Sequence, residues 1–410
     1  MRLWIESAQR SLTPPCADGG DLTGGTFGDL ISTLTTEEGF AGLVMSRSLG
    51  AEVESRARSI VRRPWSSSDI DSLLSALPAE AHAPLALLYV RDGAHARLVE
   101  CDAPPLFMAR RGKLVLLPVV EEELGGHLVR RCDFELRDGD HLAMVSEGYI
   151  QGIRAGKPSV GWREVAVAIR RLTETRCDAE QLAGALVTQY QRMAGGEARS
   201  EKLATAPSPT GPGSERIWMG VQSAITVLAM FVRPMRSMTL WSGPPASRAA
   251  EQAILDALMA EEDMRVVCGD TTAEIAARML GAELVMEPPP PEGWAEVPPV
   301  SRMVLPDGNQ AVTLVTEGVV TMGVVRQRFA EAPHQDRTGA ARVRDLMGRA
   351  DGASRLATLL LAADKTRFLV GLAVNPAQVN ADGSPLRRMA VEELVEDLEA
   401  RGKIVSVEYF

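Results

Sequence analysis

Short runs rich in apolar residues follow one another along the first half of the chain and are separated by turn signals. Such runs predict strands, and Gly or Asp between two of them predicts that they pair. Three such pairs follow one another. They are Pro84–Tyr89 with His95–Glu100, Leu106–Arg110 with Lys113–Pro118, and Arg131–Leu136 with His141–Val145. The first half therefore favours antiparallel strands that pair in the order of the chain.

Longer stretches with apolar residues three and four positions apart predict helices at Ala51–Arg62, Trp162–Leu172 and Ala179–Met193. Strands paired in sequence, with helices grouped at their ends, are typical of antiparallel sheets covered by helices, the α+β arrangement. Residues 195–213 are rich in Gly, Pro, Ser and Ala and predict a flexible surface loop. We expect the apolar stretch Ile217–Val232 after this loop to return to the sheet of the first domain.

The second half of the chain follows a different order, in which a short apolar strand, a tight turn and a helix alternate. The turns are Ser242-Gly243-Pro244-Pro245, Gly269-Asp270-Thr271-Thr272 and Thr316-Glu317-Gly318. Such alternation predicts a parallel sheet with helices on its faces. The chain is therefore predicted to be α/β, with a first domain at 1–234 and a smaller α/β domain with a mainly parallel sheet at 235–410.

A parallel sheet brings the carboxyl ends of its strands to one edge, where ligands bind in this class of fold. The candidate ligand-binding residues follow these ends: Ser242, Gly243, Gly269, Asp270, Thr271, Thr272, Glu317, Gly318 and Asn375. Thr271 and Thr272 would offer hydroxyl and N–H groups to a small anionic ligand, or they would simply cap a helix. Asp270 adds a negative charge beside that place, and Asn375 before Pro376 would also serve to end a strand. Because no His lies near these turns, they show no nucleophile–base pair.

The composition is that of a soluble globular protein, with 410 residues of which 45% are hydrophobic and 24% charged. A net charge of −10 argues against nucleic acid as a partner, because a phosphate backbone would be repelled. The 5 cysteines are widely spaced without a CxxC pair, which argues against a Cys-rich zinc site and indicates a reducing compartment. Neither a signal peptide nor a membrane span is predicted, so we expect a cytoplasmic protein with no membrane partner.

Several short strings stand where a known family has its motifs. Ala103-Pro104-Pro105-Leu106 precedes a hairpin, and Asp138-Gly139-Asp140-His141-Leu142 leads into Val145-Ser146-Glu147-Gly148. These strings resemble the sporulation stage II protein E branch of the metal-dependent (PPM-type) serine/threonine protein phosphatases. The second half is similar to a domain often attached to such phosphatases in anaerobic bacteria. The strings that it shares are Gly243-Pro244-Pro245, Cys268-Gly269-Asp270-Thr271-Thr272-Ala273, Thr316-Glu317-Gly318, Asn375-Pro376 and the stretch 402–409.

The resemblance implies an α-β-β-α sandwich for the first domain. In the family, Asp residues at the rim of the sandwich hold two Mg²⁺ or Mn²⁺ ions, which activate a water that attacks phosphoserine or phosphothreonine. Hard divalent cations of this kind need several anionic oxygens in a rigid array. We therefore expect Mn²⁺ or Mg²⁺ as the cofactor if the domain is an active enzyme, and no cofactor otherwise.

The metal-ligand positions of the family are changed in this chain. The first Gly-Asp falls on Gly20-Asp21, so Asp21 is either a retained ligand or a solvated turn residue. Arg47 stands where a bridging carboxylate belongs, and a guanidinium there would repel a metal ion. Glu147 replaces an Asp, and Gln222 stands at a late acidic position. Asp21 and Glu147 remain as candidate metal ligands, although Glu147 would also cap a helix or pair with Arg47 in the former metal site.

Three hypotheses follow. The first, which we favour, is a phosphatase-like regulatory protein that lacks dimetal catalysis, has no catalytic residues, and binds a protein partner such as a phosphoprotein. The second is an active metal-dependent phosphatase whose rearranged ligands come from Asp18–Asp29, Glu52 and Glu54. The third places an unrecognised transferase or hydrolase activity in the second domain.

Overall fold

The computed structural model describes residues 2–12, 29–46, 49–61, 67–77, 82–91, 94–124, 126–151, 162–175, 177–202, 225–288, 300–331, 346, 349, 351–373 and 386–410. The chain divides into two compact units, Met1–Pro234 and Met235–Phe410. None of the described helices combines the length and the apolar composition that crossing a membrane requires.

The first unit contains two antiparallel sheets. Its strands are β1 (Leu3–Leu12), β2 (Asp29–Thr35), β3 (Gly39–Ser46), β4 (Leu85–Arg91), β5 (His95–Cys101), β6 (Phe107–Arg110), β7 (Lys113–Val115), β8 (Val120–Leu124), β9 (His127–Glu135), β10 (Asp140–Val145) and β11 (Ile225–Pro234). One sheet has the order β1-β11-β10-β6-β7 and the other the order β2-β3-β4-β5-β9-β8. The apolar strand β11 returns to the first sheet, as the sequence predicts, and pairs with both β1 and β10.

Helices cover the outer faces of both sheets. They are α1 (Ala51–Val61), α2 (Ser67–Leu74), α3 (Glu147–Gln151), α4 (Trp162–Thr173) and α5 (Ala179–Lys202). Apolar residues of α1 and α2 share a core with β3 and β4, and those of α4 and α5 share one with β10 and β11. A third core lies between the sheets and joins Leu88 of β4 to Met230 of β11. These layers confirm the predicted α-β-β-α sandwich.

The predicted hairpins β4–β5 and β6–β7 are confirmed, but the predicted pairing of Arg131–Leu136 with His141–Val145 is wrong. Strand β9 pairs with β5 and β8, whereas β10 pairs with β6 and β11 in the other sheet. The turn between them takes the chain across the sandwich, so both strands send side chains such as Cys132 and Met144 into the core between the sheets. Strands that face each other across a sandwich have the same alternation as strands that pair.

The second unit is built on one mainly parallel sheet. Its strands are β12 (Ser237–Ser242), β13 (Met264–Cys268), β14 (Glu283–Met286), β15 (Val300–Val304), β16 (Leu314–Thr316), β17 (Lys365–Val370) and β18 (Ile404–Tyr409). Its helices are α6 (Glu251–Met259), α7 (Asp270–Leu280), α8 (Val319–Glu331), α9 (Gly352–Ala362) and α10 (Leu386–Glu399). The order is β14-β15-β16-β13-β12-β17-β18, with β14 and β15 antiparallel at one side.

The two faces of this sheet carry separate cores. Trp241 of β12 packs with α6 and α7 on one face, whereas Leu240 packs with α8, α9 and α10 on the other. Neighbouring residues of a strand point to opposite faces, so a strand buried on both sides reads as the continuous apolar run seen in the sequence. This arrangement confirms the α/β class predicted for the second half.

Candidate functional sites

The rim of the sandwich brings acidic residues from both sheets together. Glu147 is the first residue of α3 and follows β10, while Asp29 is the first residue of β2 in the opposite sheet. The side chains of Ser146 and Thr226 hydrogen-bond to the Asp29 carboxyl group, and the charge of Glu147 acts on it. Residues from the two sheets therefore meet at the end of the sandwich.

Burial raises the pKa of Asp29, even though the hydrogen bonds from Ser146 and Thr226 act in the opposite direction. The nearby carboxylate of Glu147 adds to the rise, because two like charges in close proximity disfavour ionisation. The environment of Asp29 thus shifts it toward the neutral form.

His82 links Glu147 to a second acidic residue. Its Nε2 lies 2.6 Å from Oε2 of Glu147, and its Nδ1 lies 3.9 Å from Oδ2 of Asp102. Asp102 in turn lies 2.7 Å from Nδ1 of His127. We call Asp29, His82, Asp102, His127 and Glu147 the rim cluster.

Asp102 follows β5 and connects the segment before β4 with the start of β9. Its carboxylate accepts hydrogen bonds from the backbone N–H of Ala83 (3.1 Å) and of Leu128 (3.2 Å), in addition to the contact with His127. Burial would raise the pKa of Asp102, but these hydrogen bonds together hold the pKa below its ordinary value. The residue has a φ of 47°, a left-handed conformation that Asp tolerates better than most side chains.

Cys101, Asp102 and His127 are close enough to hold a metal ion, because each offers a ligand atom within 4.8 Å of the other two. Their contacts favour a structural role instead. The carboxylate of Asp102 already accepts two backbone N–H groups and faces His127. Burial raises the pKa of the Cys101 thiol to about 12.

A dimetal centre of the family type does not fit the described part of the rim. Within the described residues, the carboxylates of Asp29 and Glu147 meet at this place, and that of Asp102 lies on the other side of His82. Glu147 is engaged by His82, and the pKa of Asp29 is raised. Two closely spaced divalent cations need more anionic oxygens than these residues provide.

The other residues predicted for this site, Asp21, Arg47 and Gln222, lie outside the described residues, as does the expected Arg47–Glu147 pair. The sequence interpretation named Asp29 only as the end of the range Asp18–Asp29 in the second hypothesis, and it missed His82 and the pair Asp102–His127. A signal for Asp29 was present, because Gly28-Asp29 is a second Gly-Asp string and directly precedes an alternating apolar run.

In the second unit, several predicted ligand-binding residues gather at the carboxyl ends of the strands. The N–H of Gly243 donates to Oγ1 of Thr272 over 2.9 Å, and Gly269 packs against Gly318. The alternative that Thr271 or Thr272 caps α7 is wrong, since Gly269 occupies the N-cap position and no side chain caps the helix. Asn375 lies outside the described residues.

Negative charge is concentrated over β13 and β16. Burial raises the pKa of Glu317, and the charge of Asp270 adds to this rise. Between them, the Cys268 thiol donates to the carbonyl oxygen of Glu317 over 2.9 Å, and burial raises the pKa of this thiol to about 12. The carboxyl ends of β13 and β16 therefore disfavour an anion, although the hydroxyls of Thr271 and Thr272 are nearby in sequence.

Comparisons with known proteins give structural neighbours at low sequence identity. No family model matches the chain, and no curated protein matches it. The phosphatase domain of the cell fate determinant SpoIIE from Bacillus subtilis is 14% identical with a TM-score of 0.39, over 56% of this chain and 93% of that chain. The RsbU and RsbW domains of Rv1364c from Mycobacterium tuberculosis are 15% identical with a TM-score of 0.39, over 62% and 67%. The catalytic domain of serine/threonine phosphatase PstP in complex with two manganese ions is 11% identical with a TM-score of 0.34, over 57% and 100%.

Proposed function

We propose that the first unit is a phosphatase-like regulatory module that does not carry out dimetal hydrolysis. The contact between His82 and Glu147 is the observation on which this proposal depends. Glu147 stands at the position that matches an Asp ligand of the PPM-type pattern, and its carboxylate is occupied by an imidazole instead of being held open for a cation.

The chemistry of the rim cluster favours a self-contained network. His82 lies between the carboxylates of Glu147 and Asp102, so the Glu147 carboxylate is already engaged by a side chain of the protein itself. A divalent cation entering here would have to displace the imidazole and compete with hydrogen bonds that Asp102 already makes. The module would then act by binding a protein partner in the cytoplasm, and a phosphoprotein is the partner class that its resemblance suggests.

An active metal-dependent phosphatase with rearranged ligands is the second candidate. The proximity of Asp29 to Glu147 favours it, because two carboxylates from opposite sheets are the beginning of a metal site. In this case a bound cation would reverse the rise in the pKa of Asp29 and would compete with His82 for Glu147.

Titration of the full chain with Mn²⁺, together with turnover of a phosphoserine peptide, distinguishes the two candidates. We expect neither saturable Mn²⁺ binding in the micromolar range nor metal-dependent turnover. His82→Ala tests whether the imidazole is the reason that no metal binds. Its removal should increase the affinity for Mn²⁺, because the carboxylate of Glu147 is no longer engaged.

The matched control is Asp133→Asn, which changes an exposed carboxylate that pairs with Arg97 on the surface of the same sheet. Robust turnover with Mn²⁺ that is lost in Asp29→Asn and in Glu147→Gln, but not in Asp133→Asn, would overturn the first proposal and establish the second.

A further inference from the structure

The second unit has the topology in which a crevice forms at a predictable place. Strands β12 and β17 are neighbours in the middle of the sheet. From β12 the chain passes through α6 to β13 on one side, and from β17 it passes through α10 to β18 on the opposite side. Helix α6 packs on one face of the sheet and α10 on the other. In open parallel sheets, ligands bind outside the carboxyl ends of the two strands where the winding reverses. Here these strands are β12 and β17, and we call their carboxyl ends the switch point.

Arg387 lies at this switch point. A Cβ atom on Gly243, directly after β12, would stand 2.2 Å from Cζ of the guanidinium, so the side chain rests on the glycine backbone. Nη1 of Arg387 donates to the carbonyl oxygens of Gly371 (2.9 Å) and Ala373 (3.3 Å), which follow β17. The guanidinium therefore spans the ends of both strands.

The charge of Arg387 has no carboxylate partner within the described residues. Its described hydrogen bonds go to the two carbonyl oxygens alone, and they use only Nη1. The next residue, Arg388, differs in this respect, because its Nε lies 2.7 Å from Glu392. Burial lowers the pKa of the Arg387 guanidinium, the direction expected for a desolvated cation that lacks a counter-ion.

Helix α10 increases the positive potential at this place. Arg387 is in its first turn, where no acidic residue offsets the partial positive charge of the helix N-terminus. A cation at this end of a helix is disfavoured, whereas an anion is stabilised there.

Ser242 provides a second polar group. It is completely buried, and its Oγ has no hydrogen-bond partner among the described residues. Ser242 stands two residues after Leu240 and is paired with Cys268 and Val370 in the neighbouring strands. Leu240, Cys268 and Val370 all pack on the face of the sheet that carries α10. The hydroxyl thus lies on the same face of the sheet as Arg387 and at the same ends of the strands. An unsatisfied buried hydroxyl is costly unless a ligand or water completes it.

We propose that the switch point between β12 and β17 binds the oxyanion of a small ligand, with Arg387 as its principal charged contact and Ser242 as a hydroxyl contact. The planar guanidinium matches both phosphate and carboxylate oxygens through two parallel N–H donors. Since Asp270 and Glu317 lie over the neighbouring strands β13 and β16, a second anionic group on the ligand is disfavoured.

Isothermal titration of the full chain with inorganic phosphate and, separately, with acetate tests the proposal and distinguishes the two oxyanions. We expect saturable binding of at least one of them. Arg387→Gln should weaken that binding at least about tenfold, because a charge-assisted hydrogen bond is lost. Arg388→Gln is the matched control and should leave the affinity unchanged.

Arg387→Lys keeps the charge without the planar fork and should retain weaker binding than the wild type. Circular dichroism of each variant verifies that the unit is folded. Absence of binding of both anions to the wild type would overturn the proposal. Equal affinity of the wild type and a folded Arg387→Gln would overturn it as well.

Discussion

The rim cluster of the first unit and the switch point of the second unit differ in whether their charged groups have partners within the described residues. In the rim cluster, each carboxylate has a partner within the protein: His82 for Glu147, His127 for Asp102, and two hydroxyl groups for Asp29. At the switch point, Arg387 meets only backbone carbonyl oxygens in the described residues. Within the described residues, each carboxylate of the first place has a partner, whereas the second place has one charge more than its described surroundings compensate.

This difference separates two uses of polar groups in a folded protein. A network whose members satisfy one another fixes the local structure, and its free energy appears as stability of the fold. A desolvated group without a counter-ion reduces stability, and it is retained where a ligand compensates it. The two places therefore predict different effects of substitution, with stability affected mainly at the rim and binding affected mainly at the switch point.

The largest expected effect is that of Asp102→Ala at the rim. The substitution leaves the N–H groups of Ala83 and Leu128 and the ring of His127 without their acceptor, and it places Ala at a φ of 47°. We expect the free energy of unfolding in urea to fall by about 3–5 kcal/mol. Asp102→Asn, which keeps an acceptor oxygen, should lie between this variant and the wild type. A loss below about 1 kcal/mol for Asp102→Ala would mean that the cluster contributes little to the fold.

A second effect concerns pH and Glu100, next to the rim cluster in β5. Burial raises the pKa of Glu100 from 4.5 to about 7, against the opposing charge of Arg130 and the N–H of Leu106. Because the folded state holds this proton more tightly, its contribution to stability is fully present below pH 4.5 and is lost as the pH rises to about 7. The wild type should lose roughly 2–3 kcal/mol across this window relative to Glu100→Gln. Urea unfolding at several pH values measures the difference, and parallel profiles for the two proteins would contradict the prediction.

The smallest effect on stability is expected at the switch point, for Gly243→Ala. Gly243 has a φ of +83°, so Ala should destabilise the fold by about 1–2 kcal/mol. Its methyl group would also displace the Arg387 guanidinium, and oxyanion binding should therefore fall. Gly308→Ala is a matched control with the same φ of +83° and no atom within 4 Å of its Cβ position. The melting temperature should fall by a similar amount in both variants. The affinity for phosphate or acetate, measured by titration, should fall only in Gly243→Ala.

The sequence predicted the layers of the fold better than the pairing of its strands. The apolar residues of β4, β5 and β11 reflect burial of one face or both, and burial depends on local pattern. The predicted pairing of β9 with β10 was wrong because two strands in opposite sheets of a sandwich have the same alternation as two strands that pair. The pair β14–β15 was missed because residues 287–299 separate its strands, so that no short turn between them indicates a hairpin.

The candidate sites were predictable only where a motif stood next to a strand end. Glu147 and Gly243 were found in this way, because both follow a strand directly. His82, Asp102 and Arg387 were not, since their roles arise from contacts between segments far apart in the chain. A histidine before a strand, or an arginine in the first turn of a helix, has no sequence pattern that distinguishes it from an ordinary surface residue.

The pairing of β1 with β11 has a consequence for how the first unit is synthesised. Ten residue pairs, from Leu3 with Pro234 to Leu12 with Ile225, join the earliest strand to one that is translated roughly two hundred residues later. At about 5–20 residues per second, β1 waits on the order of 10–40 seconds on the ribosome before its partner emerges. The unpaired backbone of β1 and its apolar residues Trp4 and Ile5 are targets for chaperones during that interval, and the sandwich can close only when β11 has been translated.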